Sequence, residues 1–527
     1  MKRSILLSIA FLCLFCSAAF AENFDVKDAR RVLPKSEEYQ LTYTHYSEGA
    51  IPDAYVFTKG SEKGFTIVSA RGDEPLILGY SDDCDFDPSD IPPALQTILE
   101  SYSTDVELAP SSRSDRPSIE PLCATKWGQG EPYNYFCPVI GSKKAVTGCA
   151  PTAMAQIMKY YNYPECGEGS NSYSYMYNGH SRGLSMDFSE VNFQWKYMTN
   201  TYGGVFFGTT SEFAVARLMQ SCGIASEAIY NPEGTGTEIP MCLSALIKYF
   251  KYDKSLSIQF REWYEDVEWE QLVYDELAQN RPIWYYGANN AHETAHAFIC
   301  DGYSSGGYYH FNWGWDGKYD GYYLLSALKP KLDFSDSQAM GIGIKPDECG
   351  EKNFDFSIRG KLQTDKQSYS LTGIGYYGSI KLRGHFASCC LLPSDVQVGI
   401  KIIDGKFTDY MSLTYANQLK CMDGFNELTI YSKNLPVGEY DVYPVARLKG
   451  SNEWKEMRYD IRYSNHLHFV VTKDRIDVTT PVSSIESVTV EDKAAVRYFN
   501  LMGVPVSNPE NGVFIKVEGT KRSKVRL

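Results

Sequence analysis

Residues 147–161 read as a turn that leads directly into an amphipathic helix, with a cysteine at the junction. Gly148 precedes Cys149, and Pro151 is tolerated in the first helical turn because the backbone N–H groups there lack intrahelical acceptors. Apolar side chains recur at i, i+3, i+4 and i+7: Met154, Ile157, Met158 and Tyr161. Free N–H groups and the dipole at a helix N-terminus favour a thiolate. The segment predicts a reactive cysteine, although a cysteine beside a helix start is more often buried or disulfide-bonded.

The first 21 residues have the three parts of a secretory signal. A basic Lys2-Arg3 pair is followed by an apolar run from Ile5 to Phe15 and by an A-x-A site at residues 19–21. The run is too short to cross a membrane, and no other uninterrupted apolar stretch of about 20 residues occurs. We therefore expect export and no membrane span.

The charge balance excludes two classes of partner. The chain has 51 basic and 65 acidic residues, a net charge of −14. Nucleic acids and anionic membrane surfaces require a basic face on the protein that binds them. Neither is expected as a partner here.

Cysteine usage indicates disulfides and argues against a metal. Of the 14 cysteines, Cys13 and Cys16 lie in the signal segment, where bulky Leu12 and Phe15 disfavour a lipid anchor. The others are expected to form disulfides by default in an exported protein, save any that must stay free for chemistry. No CxxC pair and no Cys/His cluster at zinc spacing occurs, so no metal site is expected.

After residue 21 the chain divides into four segments. Residues 22–116 combine short strands with an apolar-periodic helix, predicted from Ile91 to about Tyr102. They end in a Pro- and Ser-rich linker, which is either a hinge or a cleavage point. Residues 117–345 contain at least three helical segments followed by aromatic strands. Residues 350–475 alternate short strands and turns, as a β-sandwich does. Residues 483–527 repeat that pattern in miniature.

Histidine narrows the search for a partner of Cys149. His296 leads an apolar strand, 147 residues after the cysteine, which is a separation at which papain-like enzymes combine the two residues. A lone histidine in such a strand is usually structural. His292 is a competitor in a polar, Asn-rich loop.

Two further polar residues suit the same chemistry. Asn312, followed by Trp313, is of the type that holds an imidazole in its useful tautomer, with the tryptophan covering it from water. Gln129, in a Gly/Pro-rich loop, could stabilise an oxyanion together with the backbone N–H of Cys149. Taken alone, the segment around Asn312 and Trp313 is typical of a β-turn with core tryptophans. Gln129 taken alone is typical of a solvated loop residue.

Four motifs, in this order, resemble those of the streptopain family of papain-clan cysteine peptidases over about residues 50–330. They are WGQGEPYN (127–134), TGCAPTAMAQIMKYYNYP (147–164), AHAF (295–298) and HFNWGWDG (310–317). The resemblance implies that Cys149 is the nucleophile, His296 the general base and acid, Gln129 the oxyanion donor and Asn312 the residue that orients the histidine. It also implies that Trp313 and two substrate-binding residues, Gly314 and Trp315, shape the site.

The same resemblance implies a fold and a mode of synthesis. It predicts an α+β architecture: an inhibitory α+β prosegment (22–116), a two-lobed papain-like domain (117–345) with a helical lobe and an antiparallel β lobe, and the added β-sandwich. The protein would be a secreted endopeptidase zymogen without cofactor, acting on protein or peptide substrates and inhibited by its own prosegment. Residues 483–527 resemble a sorting tail read by type IX secretion machinery, with a terminal hairpin of the sandwich as the simpler interpretation.

Two other functions are compatible with the residues. One is a surface adhesin or inhibitor with an inactive papain-like domain, in which the β-sandwich binds the partner. The other keeps the Cys–His chemistry but transfers the acyl group to an amine instead of water. Intact Cys149, His296, Gln129 and Asn312 count against the inactive domain.

Overall fold

The computed structural model describes residues 22–47, 50–60, 63–72, 75–91, 95–96, 99, 116–289, 294–325, 338–371, 378–404 and 408–481, and strands at 497–499, 505–506, 513–518 and 521–526. The predicted signal segment, His292 and most of the predicted linker lie outside the described residues. So does most of the helix predicted at 91–102, of which residues 95, 96 and 99 are helical.

Four longer helices form between residues 149 and 278: Cys149–Tyr161, Thr210–Ala225, Ile239–Phe250 and Asp266–Ala278. The prediction of at least three helical segments is confirmed. The second begins with a capping box in which Thr209 and Glu212 satisfy each other's backbone N–H groups. The first ends at Asn162 in the left-handed region (φ +46°), which stops the helix. Shorter helical turns lie at Val26–Ala29, Arg30–Val32, Ser36–Glu38, Phe188–Glu190, Trp195–Tyr197, Arg261–Trp263 and Ser432–Asn434.

A ten-stranded antiparallel sheet contains strands from both the predicted prosegment (22–116) and the predicted papain-like domain (117–345). Its order is Ser257–Phe260, Gln338–Ile342, Ile283–Asn289, Thr294–Ser304, Tyr308–Asn312, Gly321–Tyr323, Ile77–Ser81, Phe65–Ser69, Ala54–Thr58 and Gln40–His45. The first six strands come from the region 257–342 and the last four from the prosegment. The junction is made by Tyr322 opposite Tyr80 and Tyr323 opposite Gly79.

Two cores lie on the two sides of this arrangement. The helices pack around a core that includes Trp127, Met154, Leu218 and Leu246. A second core joins prosegment residues such as Phe65 and Leu78 with residues of the later strands, among them Phe298, Phe311, Trp313 and Tyr323. The prosegment is therefore packed as part of the β layer.

Two further sheets form between residues 356 and 479 and share one apolar core. One is four-stranded: Gly424–Tyr431, Ser379–Ser388, Phe356–Thr364 and Arg458–Tyr459. The other has seven strands: Ser368–Ser370, Arg475–Thr479, Leu467–Val471, Gly438–Leu448, Ser394–Ile403 and Thr408–Leu419, with Lys455–Glu456 beside Gly438–Leu448.

The chain beyond residue 496 contributes strands of its own. They form a separate four-stranded sheet in the order Pro505–Val506, Arg497–Phe499, Val513–Glu518 and Lys521–Arg526. Three small two-stranded ribbons complete the described strands: Glu22–Asn23 with Arg71–Gly72, Val139–Ile140 with Lys143–Lys144, and Ser170–Tyr177 with His180–Asp187.

The expectation of disulfides is wrong for the twelve cysteines that the structure describes, because all of them are free thiols. Eight are buried, and they serve as small apolar core residues. Burial raises the pKa of thiols such as those of Cys123, Cys222 and Cys300, so they stay protonated and unreactive.

None of the helices in the described part of the chain is long and apolar enough to cross a membrane. No group of three or more His, Cys, Asp or Glu side chains there could hold a metal ion.

Candidate active site

Cys149 occupies the first position of the helix Cys149–Tyr161 and is partly accessible. The chain reaches it through Gly148, whose φ of +91° suits glycine. A Cβ at this glycine would lie 2.8 Å from the Thr235 carbonyl oxygen. Among the described residues no side chain caps this helix end, and the Ala150 N–H interacts with the sulfur atom and lowers the pKa of the thiol. This geometry favours a thiolate.

His296 lies on the strand Thr294–Ser304, against which the cysteine helix packs. Its side chain is buried, with 7% of the residue exposed. Two hydrogen bonds fix the strands to the helix start: the Ala297 N–H donates to Cys149 Sγ (3.4 Å), and the Trp284 indole donates to the Ala150 carbonyl (3.3 Å). The structure thus brings together the two residues that the sequence predicts to be the catalytic pair.

Opposing influences act on the ionisation of Cys149. Burial raises the pKa of the thiol, but the charge of His296, its hydrogen bond and the N–H groups of Ala297 and Ala150 lower it, and the net pKa lies below the usual value. Burial likewise lowers the pKa of His296, while the thiolate, its hydrogen bond and the Trp313 carbonyl raise it, with a net increase. Each group stabilises the charged form of the other, so a thiolate–imidazolium pair is favoured.

The Trp313 carbonyl holds the imidazole. His296 Nε2 lies 3.0 Å from this oxygen, and because a carbonyl only accepts, Nε2 donates its proton there. Nδ1 is then the nitrogen available to exchange a proton with the sulfur atom. The tautomer is set by a backbone group rather than by a side chain.

The sequence predicts that the Asn312 amide orients His296, and this prediction is wrong: the amide has other partners. Asn312 is 2% exposed; its Nδ2 donates to the Thr125 carbonyl (2.6 Å) and its Oδ1 accepts from the Gly314 N–H (3.1 Å). The remaining contacts of the amide are with Gln156. The amide is thus engaged by Thr125, Gly314 and Gln156, and the imidazole is held by the Trp313 carbonyl instead.

The two tryptophans of the turn have different surroundings. Trp313 is fully buried, its indole N–H donates to the Tyr319 carbonyl (2.9 Å), and its backbone N–H donates to Asp320 Oδ1 (2.9 Å). Trp315 is partly buried, with its ring centroid 6.5 Å from that of His296. Trp315 therefore flanks the imidazole, whereas Trp313 acts through its carbonyl.

Gly314 and Gln129 complete the predicted set. Gly314 has φ +70°, and a Cβ there would lie 3.3 Å from the Thr152 methyl group, so the turn packs tightly on the cysteine helix. The Gln129 carbonyl accepts from the Thr147 N–H (3.0 Å). This tie holds the glutamine loop beside the entry to the helix; the oxyanion role of the Gln129 side chain stays a prediction.

Sequence reasoning missed three groups near the pair: the Ala297 N–H, the Asp320 carboxyl and the Gln156 side chain. The first is a backbone group and has no sequence signal. Asp320 lies seven residues beyond Trp313 in a Gly- and Tyr-rich turn, and nothing in its sequence surroundings indicates its role. Gln156 is a polar residue between Ala155 and Ile157 on a helix that is otherwise apolar at its centre, which is a usable signal.

The chain is similar to known cysteine peptidases and to a family of protease inhibitors. The peptidase C10 family matches residues 127–323, and the Spi protease inhibitor family matches residues 18–106. Streptopain of Streptococcus pyogenes is 32% identical over 320 residues, which cover 54% of this chain and 79% of that protein.

Two further relatives are similar over slightly more than half of the chain. Thiol protease/hemagglutinin PrtT of Porphyromonas gingivalis is 31% identical over 325 residues, 55% of this chain and 37% of that protein. A fragment of prointerpain A from Prevotella intermedia, carrying a cysteine-to-alanine mutation, superposes with a TM-score of 0.51 at 30% identity, covering 58% of this chain and all of the fragment.

Proposed function

Because the chain belongs to the peptidase C10 family of cysteine peptidases, with an Spi-type inhibitory prosegment, we propose that it is a secreted endopeptidase made as an autoprocessing zymogen. The observation that carries this proposal is the pair formed by Cys149 and His296. The thiol at a helix N-terminus is opposed by an imidazole, and each shifts the pKa of the other toward the charged form.

The proposed reaction is acyl transfer from a peptide bond to water. The Cys149 thiolate attacks the scissile carbonyl, and the oxyanion that forms is stabilised by the Cys149 N–H and the Gln129 amide. The imidazolium of His296 gives its proton to the leaving amine, which leaves a thioester on the sulfur atom. His296 then takes a proton from water, the hydroxide attacks the thioester, and the thiol is regenerated.

The surroundings of the pair support this sequence of steps. The Trp313 carbonyl keeps the imidazole in one orientation through Nε2 in both protonation states. Trp315, which flanks the imidazole, and Gly314, which lies in the turn packed on the cysteine helix, are proposed to line the substrate cleft. No step requires a metal or a cofactor.

We propose the following organisation for the chain: signal segment 1–21, prosegment 22–116, peptidase domain 117–345, β-sandwich 350–475 and tail 483–527. The family matches at 18–106 and 127–323 support a prosegment followed by a peptidase domain. The shared core of the two sheets between 356 and 479 supports a sandwich. Secretion, and recognition of the tail by export machinery, rest on the sequence patterns alone.

The test compares the purified wild-type chain with Cys149→Ala by intact mass over time, without added protease. We expect only the wild type to shorten, losing about 90 residues between the signal segment and the region around Arg116. If both chains stay full length and iodoacetamide leaves Cys149 unlabelled after removal of the prosegment, the proposed function is wrong. An amine acceptor added to the wild type distinguishes hydrolysis from acyl transfer. Hydrolysis gives a product with a free carboxyl group, whereas acyl transfer adds the mass of the amine.

A further inference from the structure

One buried amide on the cysteine helix has a role in neither the predicted nor the proposed chemistry. Gln156 is 0% exposed and lies seven residues after Cys149, two turns along the same helix face. A polar side chain in such a position destabilises the fold unless its hydrogen bonds are satisfied. Its partners therefore indicate why an amide is present.

The Gln156 side chain joins two separate parts of the chain. Its Oε1 accepts from the Trp127 backbone N–H (3.1 Å) and from Asn312 Nδ2 (3.2 Å). Its Nε2 donates to Asn312 Oδ1 (3.1 Å). The two side-chain amides thus pair reciprocally, and the glutamine also holds the backbone of a third segment.

Each partner leads within two residues to a group of the proposed site. Trp127 is two residues before Gln129, whose amide is proposed to stabilise the oxyanion. Asn312 is directly before Trp313, the residue whose carbonyl accepts from His296. The helix that carries Gln156 begins with the nucleophile.

Asn312 transmits this contact to the histidine. Its Oδ1 also accepts from the Gly314 N–H (3.1 Å), and its Nδ2 donates to the Thr125 carbonyl (2.6 Å). The Gly314 N–H and the Trp313 carbonyl belong to the same peptide group, so the Asn312 side chain holds the group that accepts from His296. A shift of this amide moves the carbonyl that orients His296.

We propose that Gln156 is a positioning residue that fixes the distance and orientation between the Cys149 sulfur atom and the His296 ring. The inference rests on the proposed function, because it matters only where that pair does chemistry. Gln156 touches neither reacting atom and acts through Asn312 and Trp127. Reacting groups misplaced by about 1 Å lose about 100-fold in rate.

The role has a signature that a merely structural one lacks. The pKa of Cys149 is held down, and that of His296 held up, by their mutual contact. When the ring moves away, the pKa of the thiol rises and that of the imidazole falls. Both changes weaken the thiolate–imidazolium pair.

The test uses Gln156→Met, which keeps the length of the side chain and removes its hydrogen bonds. We expect kcat of the processed enzyme to fall about 10- to 100-fold, with a smaller change in KM. We also expect the pH midpoint of Cys149 alkylation by iodoacetamide to rise in the full-length chain. Peptide mass mapping measures this alkylation. Alkylation needs no turnover and is measurable if self-processing stops.

Gln156→Glu is the conservative variant and covers a failure of the methionine variant to fold. A protonated carboxyl can donate to Asn312 Oδ1 as the amide does, and burial raises the pKa of such a carboxyl. We expect the ratio of its kcat to that of the wild type to be highest at acidic pH and to fall as the pH rises.

Gln259→Met is the matched control. Gln259 is also buried, 4% exposed, and its Nε2 donates to Ser257 Oγ (2.9 Å) on the outermost strand of the ten-stranded sheet. We expect this variant to lower the melting temperature and to leave the alkylation midpoint unchanged. If Gln156→Met lowers the melting temperature similarly and also keeps the wild-type midpoint, the inference is overturned. Failure of the proposed function would instead be seen in Cys149→Ala, if that variant self-processes like the wild type.

Discussion

The reactivity of Cys149 depends on a balance of opposing effects on one sulfur atom. Burial alone would keep the thiol protonated, as it does for Cys123 and Cys222 in the same core. What distinguishes Cys149 is the neighbouring imidazole, together with the N–H groups of Ala297 and Ala150. Among the described cysteines of this core, Cys149 is thus the one whose thiol pKa lies below its usual value.

Removal of the imidazole tests this balance. In His296→Ala the imidazole no longer lowers the pKa of Cys149, while burial still raises it. The pKa of Cys149 therefore rises. We expect the pH at half-maximal alkylation by iodoacetamide to move to higher values and peptidase activity to be lost. The measurement is the alkylation rate of the Cys149 peptide between about pH 4 and 10, a range set by the usual histidine and cysteine pKa values of about 6.5 and 8.5.

His180→Ala is the control for this prediction, since His180 is exposed on the ribbon Ser170–Tyr177/His180–Asp187. It should keep the wild-type midpoint. An unchanged midpoint in His296→Ala would mean that the helix N-terminus alone sets the thiol pKa.

At the scale of the element, the start of the cysteine helix depends on one glycine. Gly148 has φ +91°, and a Cβ at that position would lie 2.8 Å from the Thr235 carbonyl oxygen. An alanine there forces the entry to the helix to shift, and the sulfur atom shifts with it. The helix N-terminus and the nucleophile are therefore positioned by the same turn.

We expect Gly148→Ala to lower the free energy of unfolding by about 1–3 kcal/mol and to lower kcat at least about tenfold. Urea unfolding and peptide hydrolysis measure the two effects. Gly204→Ala is the matched control, because Gly204 has φ +71° and no described atom lies within 4 Å of the place that its Cβ would take. Equal losses in both variants would show that backbone strain, rather than the contact with Thr235, is responsible.

At the scale of the whole molecule, the prosegment is held by continuation of a β-sheet. The strand Ile77–Ser81 pairs with Gly321–Tyr323, and Ser81 Oγ donates to the Asp320 carbonyl (2.7 Å). Asp83 forms a salt bridge with Lys126 (2.6 Å). Because Asp320 also holds the Trp313 N–H, the docked prosegment contacts the same turn that orients His296.

Gly79 lies at this junction, opposite Tyr323. A Cβ at Gly79 would lie 2.4 Å from the Tyr323 ring, so Gly79→Val separates the two strands. Overpacking of this kind costs about 1–3 kcal/mol, and we expect the variant zymogen to process itself several-fold faster than the wild type. Intact mass over time measures this rate.

The processed enzyme provides the control for Gly79→Val. Residue 79 leaves with the proposed prosegment, so kcat and KM after processing should equal the wild-type values. Thr42→Val, on the outermost prosegment strand Gln40–His45, should process at the wild-type rate. Slower processing of Gly79→Val would contradict a role of this junction in holding the prosegment.

The segment beyond residue 345 is also packed against the peptidase region. Cys389 and Leu391 belong to the same core as the helices, and Ser244 Oγ donates to the Leu391 carbonyl (2.8 Å). The Asp253 carboxylate accepts from the N–H groups of Glu348 (2.8 Å) and Gly350 (3.1 Å). The segment that connects the peptidase region to the sheets after residue 356 is thus held to the peptidase region by hydrogen bonds.

Local patterns in the sequence determined the elements that carry the chemistry. The apolar spacing after Cys149 and the run after His296 each specify their own helix or strand, because periodicity and helix-start preferences depend on neighbouring residues only. The order of four motifs then identified the family. The long helices, the strands after residue 350 and the joining of Cys149 to His296 could all be predicted in this way.

The tertiary structure decided which groups meet across the chain. It assigns the imidazole to the Trp313 carbonyl instead of Asn312, pairs Asn312 with Gln156, leaves the described cysteines free and joins the prosegment to the peptidase sheet. A hydrogen-bond partner or a strand neighbour is chosen by distance in space among residues far apart in sequence. Backbone groups, which are identical at nearly every position, leave no trace in the sequence, and one of them orients the histidine.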